Sequence, residues 1–207
     1  MSRETMRSRQ DKKALKVLKR QAKNLPDDVG ASIKLGDKLI ALREWKSAIS
    51  CFRTALKQDK NNVNILTKLG YACACSGLLE KAVIAYKMAV SIEPNNYELL
   101  KNLGAICNGV GEPRIALEYL EAAVAQQKND PNTHYLLGES YRFLKNNEKS
   151  QAQYQLAVEL YYSQQKLDPY TLIKVGRSCG FLGRFKDAVK FLKEAIRLMP
   201  NFAGAHF

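Results

Sequence analysis

Few side chains in this sequence are of a type and spacing that could make or break bonds. Its two histidines, His134 and His206, are not matched with a cysteine or carboxylate in any metal-binding motif. His134 reads as a helix-surface residue, and His206 falls in the terminal tail. The five cysteines cannot all pair internally, and Cys73 and Cys75 form C-x-C rather than the redox spacing C-x-x-C. Cys73, Cys107 and Cys179 each stand three residues after a glycine, so they read as small buried apolar residues. No G-x-S-x-G, H-E-x-x-H or phosphate-cradling glycine loop occurs. The acid pair Asp27-Asp28 sits where it would cap or solvate a helix start. The sequence thus offers no catalytic residues, no metal ligands and no cofactor site. Arginines and aromatic residues remain, which suit the binding of carboxylates and apolar anchors.

The elements that position these residues recur. Gly36, Gly70, Gly104 and Gly138 are spaced 34 apart, and Gly176 follows after 38. An apolar residue precedes each: Leu35, Leu69, Leu103, Leu137 and Val175. Twelve residues after each glycine comes Ala48, Ala82, Ala116, Ser150 or Ala188, and seven further on an alanine. Each unit holds two runs of helical periodicity, as in Ile65, Leu66, Leu69, Cys73 and then Ala82, Val83, Tyr86, Ala89. Gly77 separates the runs and Pro94-Asn95-Asn96 ends the second. Each unit is therefore a helical hairpin in which Gly70 and Ala82 let two helix backbones approach. One hairpin cannot bury its apolar face alone, so neighbours must stack into an α-solenoid.

Charge is uneven. Residues 2–25 hold nine basic residues against Glu4 and Asp11, a net +7 of the chain's +13. Such an arm suits nucleic acid, an anionic membrane surface or an acidic partner, or is simply a solvated helical cap. Residues 1–11 read as polar and frayed. From residue 12 an amphipathic helix is expected, with Ala14, Leu15, Leu18, Ala22 and Leu25 on one face. Ala14 and Leu18 lie 34 before Ala48 and Phe52, and Pro26 lies 34 before Lys60, so 12–25 reads as a degenerate half-repeat that caps the first full one. No apolar run is long enough to span a membrane, no leader follows Met1, and the cytoplasm is the expected compartment.

The Leu-Gly pairs, the inter-helix Gly77, Gly111 and Gly183, the alanine pairs, and Pro94 and Pro200 at repeat ends resemble the tetratricopeptide repeat (TPR) family. The resemblance implies a right-handed, all-α solenoid of helix-turn-helix repeats over 29–62, 63–96, 97–130, 131–168 and 169–202. Residues 1–28 form the basic capping segment, and 203–207 open a sixth repeat. Four extra residues lengthen the helix around Tyr161-Tyr162, either bending the solenoid or adding contact surface. The family also implies a concave groove lined by first helices. At its positions stand Tyr71, Lys101, Asn108, Asn132, Tyr135, Arg142, Phe143, Tyr170, Arg177 and Phe181. Ile33 and Asp37 replace the Lys and Asn with which one subclass clamps a terminal carboxylate, so that subclass is excluded.

The expected function is a non-catalytic scaffold or adaptor binding a protein or peptide that mixes acidic and apolar residues. The alternatives are nucleic-acid or anionic-surface binding through the basic arm, and self-assembly through the C-terminal repeat, where Phe185, Phe191 and Phe202 gather and Phe207 ends the chain. With no metal site and no disulfide expected, a thermal melt should be unmoved by EDTA or dithiothreitol. A clear downward shift with either reagent would refute this.

Overall fold

In a computed structural model, described over residues 3–25, 28–163 and 168–199, the chain is all helical, and no strand occurs among those residues. Helix α1 (Arg3–Asn24) leads. Five hairpins follow: α2 (Val29–Ala41) with α3 (Trp45–Gln58), α4 (Val63–Cys75) with α5 (Leu79–Ile92), α6 (Tyr97–Gly109) with α7 (Pro113–Gln126), α8 (Pro131–Phe143) with α9 (Asn147–Tyr162), and α10 (Pro169–Phe181) with α11 (Phe185–Leu198). The fold class is an all-α helical-repeat solenoid. The chain divides into two compact units, Met1–Pro94 and Asn95–Phe207.

Local chemistry repeats with the helices. Each first helix starts at a carboxylate or amide eight residues before the repeating glycine. Asp28, Asn62, Asn96, Asp130 and Asp168 accept from the backbone N–H groups of Ala31, Ile65, Leu99, Thr133 and Thr171. Each such cap contributes about 1 kcal/mol by satisfying an orphan donor. Each first helix ends in a left-handed residue: Arg43, Gly77, Gly111, Lys145 or Gly183. The next N–H then reaches back to the helix, as from Leu78 to the Cys73 carbonyl at 2.9 Å. Arg43 and Lys145 adopt this conformation without glycine's freedom, at φ 58° each.

The repeating glycine faces a large residue sixteen positions on. A Cβ on Gly36 would lie 2.5 Å from the Phe52 ring, on Gly70 2.8 Å from Tyr86, on Gly138 2.7 Å from Tyr154. Leu120 and Leu192 play the same part over Gly104 and Gly176. The sequence pattern paired Gly70 with Ala82; the tightest contact is instead with Tyr86, one helical turn later. Ala116 and Ala188 still matter, because their carbonyls lie 3.3 Å from the same added Cβ.

In the first unit α1 packs on α2, α2 on α3, α3 on α4 and α4 on α5. Its core is Leu35, Leu39, Phe52, Ile65, Leu66 and Tyr86. Trp45 meets the Tyr71 ring edge-on at 6.3 Å. Helix α1 starts at Arg3 rather than at residue 12, because 3–11 holds no glycine or proline to stop it. Leu15, Leu18 and Ala22 are half-buried, whereas Ala14 and Leu25 are exposed, so the apolar stripe is narrower than expected. Asp11 pairs with Lys38 of α2 at 2.5 Å. Pro26 and Asp27 lie outside the described residues.

In the second unit Tyr135, Tyr154, Val158, Tyr161, Val175 and Cys179 form one core, and Leu172, Ile173 and Ala195 another. Ser150, standing for alanine, donates to the Gly138 carbonyl at 2.9 Å. His134 is buried, contrary to its reading as a surface residue. One ring nitrogen lies 2.8 Å from Gln153 Oε1 and the other 2.8 Å from the Lys128 carbonyl oxygen. Helix α9 has 16 residues where the other second helices have 14. Phe185 is 69% exposed, and Phe191 meets the Tyr162 ring edge-on at 5.6 Å. Residues 164–167 lie outside the described part, as do Pro200, Phe202, His206, Phe207 and the sixth-repeat start. Cys73, Cys107 and Cys179 are buried, Cys75 is exposed, and all five cysteines are free.

Two glycines of α10 separate packing from propensity. A Cβ on Gly176 collides with Leu192 Cγ at 2.8 Å, while one on Gly180 meets nothing within 4 Å. Gly180→Ala should therefore raise stability by about 0.5–1 kcal/mol through helix propensity. Gly176→Ala should lower it, because overpacking costs about 1–3 kcal/mol and outweighs the same gain. Urea unfolding of the two variants checks the opposite signs.

Candidate functional site

Nine of the ten groove residues lie in the second unit, on α6, α8 and α10; Tyr71 lies in the first unit, on α4, 48% exposed. Helix α8 packs against both α6 and α10, so the three first helices form one wall. Asn108 and Tyr135 are buried in it. The Asn108 amide donates to the Leu136 carbonyl at 3.0 Å, and its oxygen lies 2.9 Å from the Ser140 hydroxyl. Asn108 thereby joins α6 to α8, and Tyr135 lines the core.

Two clusters stand on the wall. The first is polar and begins at Asp130, the α8 cap. Lys101 donates to the Tyr97 hydroxyl at 3.2 Å, which lies 3.2 Å from the Thr133 hydroxyl. Thr133 in turn donates to Asp130 through its hydroxyl at 2.7 Å and its N–H at 2.8 Å. Burial pushes the Asp130 carboxyl up, but the Thr133 and Tyr97 hydrogen bonds and the Lys101 charge outweigh it, and its pKa falls below the ordinary value. Asn132 Oδ1 accepts from Tyr161 at 3.1 Å and from Lys174 at 2.5 Å. Burial pulls the Lys174 ammonium below its usual pKa, against the pull of Asp130.

The second cluster joins arginine to aromatic rings. Glu139 Oε1 lies 3.6 Å from the Arg142 guanidinium and 3.5 Å from that of Arg177. Arg142 rests 4.5 Å from the Phe143 ring centre and 5.0 Å from that of Phe181; Arg177 lies 6.0 Å from Tyr135. Phe181 stacks on Tyr154 at 4.9 Å with the planes 15° apart. Burial raises the Tyr154 hydroxyl to about 12, and the Glu139 charge adds to that. Phe143 is 48% exposed and Phe181 39%. Tyr170, in the first turn of α10, is 50% exposed. Glu139 Oε1, Arg142 Nε and Tyr154 Oη are buried with no partner in hydrogen-bond geometry among the described residues. Among those residues no group of histidine, cysteine and acid side chains could hold a metal ion, and no helix is long and apolar enough to cross a membrane.

The groove positions select a helix face, so they found Arg142, Phe143, Arg177 and Phe181 together. They missed Lys174, which stands two residues before its glycine, and Tyr154, which belongs to a second helix. They also missed Asp130, although its signal was present: Asn or Asp recurs eight residues before every repeating glycine.

Stacked helical hairpins of this kind define a helical-repeat protein. Models described as "Tetratricopeptide repeat" match residues 33–97, 131–164 and 170–202, and the chain belongs to the tetratricopeptide repeat family. Proteins of that family mediate protein–protein interaction and are generally non-catalytic. Similar solved structures include MamA 41-end from Desulfovibrio magneticus RS-1, 21% identical, with a TM-score of 0.65 over 84% of this chain and 97% of that one. Another is PilF of Pseudomonas aeruginosa, 18% identical, TM-score 0.66, covering 97% and 90%. A third is YrrB, described as "a TPR protein with an unusual peptide-binding site", 18% identical, TM-score 0.60, covering 91% and 95%. At these identities the likeness is one of fold. No curated protein matches the chain in sequence.

Two of the capping aspartates, Asp130 and Asp168, set an acid limit. Hydrogen bonds from Thr171 and Tyr170 likewise outweigh burial at Asp168 and hold its carboxyl low. A depressed folded pKa means stability that is full above the unfolded value of about 3.9 and is lost as pH falls through the folded value. Asp130→Asn keeps a capping oxygen but removes that charge, so its stability loss should be seen at neutral pH and should shrink below about pH 4. Urea melts at pH 7 and pH 3 check this; an equal loss at both would exclude the linkage.

Proposed function

We propose that the protein is a non-catalytic adaptor whose first-helix wall on α6, α8 and α10 holds a protein segment mixing acidic and apolar residues. The observation that carries this is the Glu139–Arg142–Arg177 cluster, with Phe143 and Phe181 against Arg142. Two guanidiniums share one carboxylate, so the cluster keeps a net positive charge. Its ion contacts exceed hydrogen-bond length, leaving donors for a ligand carboxylate. The half-exposed faces of Phe143 and Phe181 offer apolar contact beside it. Lys101, Asn132 and Lys174 extend the wall with polar groups, and Tyr170 supplies a further exposed ring. YrrB supports the reading to the extent that a fold of this kind carries a peptide-binding site. Five free cysteines suit a reducing compartment, and we assign the cytoplasm.

A second reading attaches to α1, where Lys13, Lys16, Lys19, Arg20 and Lys23 are all exposed. Nucleic acid bound there would show affinity falling steeply with salt and little sequence preference.

Arg142→Ala with Arg177→Ala should weaken partner binding by about 2 kcal/mol or more, and Lys190→Ala on α11 should be near neutral. Phe143→Ala should cost affinity with little stability. Phe181→Ala should cost both, since its ring stacks on buried Tyr154. Isothermal titration of a partner segment together with melting curves separates these effects. Unchanged affinity in the double arginine variant would exclude this wall.

A further inference from the structure

The first unit carries a trough that the proposed reading leaves unused. It runs between α3 and α5 with α4 as its floor. Leu66 and Cys73 of the floor are almost fully buried, and Leu56 and Leu69 are half-buried. On the α5 side Ile84 is 60% exposed and Met88 45%. A single exposed apolar residue is ordinary, but two that extend an apolar trough form a patch.

The repeat supplies its own comparison. Ile84 and Met88 stand fourteen and eighteen residues after their glycine. At the same positions the other second helices carry Ser50 and Thr54, Glu118 and Ala122, Ala152 and Leu156, and Lys190 and Glu194. The trough one hairpin earlier, between α1 and α3, has Ala22 and Leu35 in its lining, but the α3 positions facing it are Ser50, Cys51 and Thr54, with Ser32, Lys19 and Lys23 beside them. The fold therefore does not require apolar residues at these places, and α5 has them.

The rim is basic. Helix α3 carries Lys46, Arg53 and Lys57 with no acid, and α5 carries Lys81 and Lys87 against Glu80 alone. Arg53 and Lys81 line the trough, are exposed, and make no ion pair among the described residues. Lys81, Ile84, Ala85 and Met88 follow i, i+3, i+4, i+7, a stripe of about 10 Å or two helical turns. All three walls are helices whose backbone groups are already paired. An extended segment would therefore bring unpaired N–H and C=O groups onto apolar surface, whereas a helix brings its own hydrogen bonds.

We propose that this trough receives an amphipathic α-helix of a partner protein, with its apolar stripe on Ile84, Met88 and Leu56 and acidic residues facing Arg53 and Lys81. A second copy of this chain, itself at +13, is the wrong charge for it.

The test uses the full chain with ¹³C-methyl methionine and, as probe, a stapled helical peptide bearing leucines at i, i+4 and i+7 flanked by glutamates. The peptide should shift the Met88 methyl signal. Ile84→Ser with Met88→Thr, which copies α3, should weaken binding about tenfold or more at an unchanged melting temperature. Arg53→Glu with Lys81→Glu should do the same, as should lysines in place of the peptide's glutamates. The Arg142/Arg177 double alanine variant should bind it normally, which keeps this test separate from that of the second-unit wall. A Met88 signal unmoved at saturation, equal binding of the lysine peptide, or loss of binding only in the arginine variant would overturn the proposal. So would self-association abolished by Ile84→Ser with Met88→Thr, which would give the trough to a second copy.

Discussion

Every hairpin of this protein depends on the space above one glycine. The residue sixteen positions later lies across it, and the helix-to-helix distance follows from that contact. Its identity varies between ring and leucine, but it is large each time, and the glycine has no side chain to yield. The fourth hairpin shows what this brings. Tyr154 closes over Gly138 with one part of its ring and stacks on Phe181 of the next hairpin. Phe181 in turn supports Arg142. The side chain that closes the hairpin is thus also the base on which Phe181 and Arg142 rest.

The glycine and alanine recurrence was legible because a solenoid repeats its contacts at a fixed interval, so chance matches lose phase within two units. The glycine's true partner was harder to see. Phe52, Tyr86, Leu120, Tyr154 and Leu192 share large apolar surface rather than identity, and a pattern of identities passes over them. Similarly, the left-handed loop residue is obvious at Gly77, Gly111 and Gly183 but hidden at Arg43 and Lys145. There the capping hydrogen bonds, such as Asn146 N–H to the Tyr141 carbonyl at 2.9 Å, hold a conformation that the residue itself disfavours. Burial of His134 was not legible at all. It depends on Gln153 and the Lys128 carbonyl, which only tertiary structure brings to the ring.

At the wall, repeat position predicts which face a side chain occupies but not what it meets there. Asn108 and Arg142 stand at equivalent positions, four residues after their glycines. One is consumed in joining α6 to α8, and the other carries its charge to the surface of α8 beside two rings. The difference lies in reach and charge: a buried amide can satisfy itself on a neighbouring helix, whereas a guanidinium must keep either a counter-ion or water.

Glu139 supplies that counter-ion, and its placement bears on the binding proposed for the wall. Without it, two guanidiniums converging on one point would repel and leave the rings. With it, both are held in place before any ligand arrives, and less side-chain entropy remains to be lost on binding. The same carboxylate competes with a ligand's own acid, so part of the attraction is already spent inside the protein. In the binding proposed for this wall, charge therefore favours orientation and selectivity over raw strength, and the exposed faces of Phe143 and Phe181 supply apolar contact.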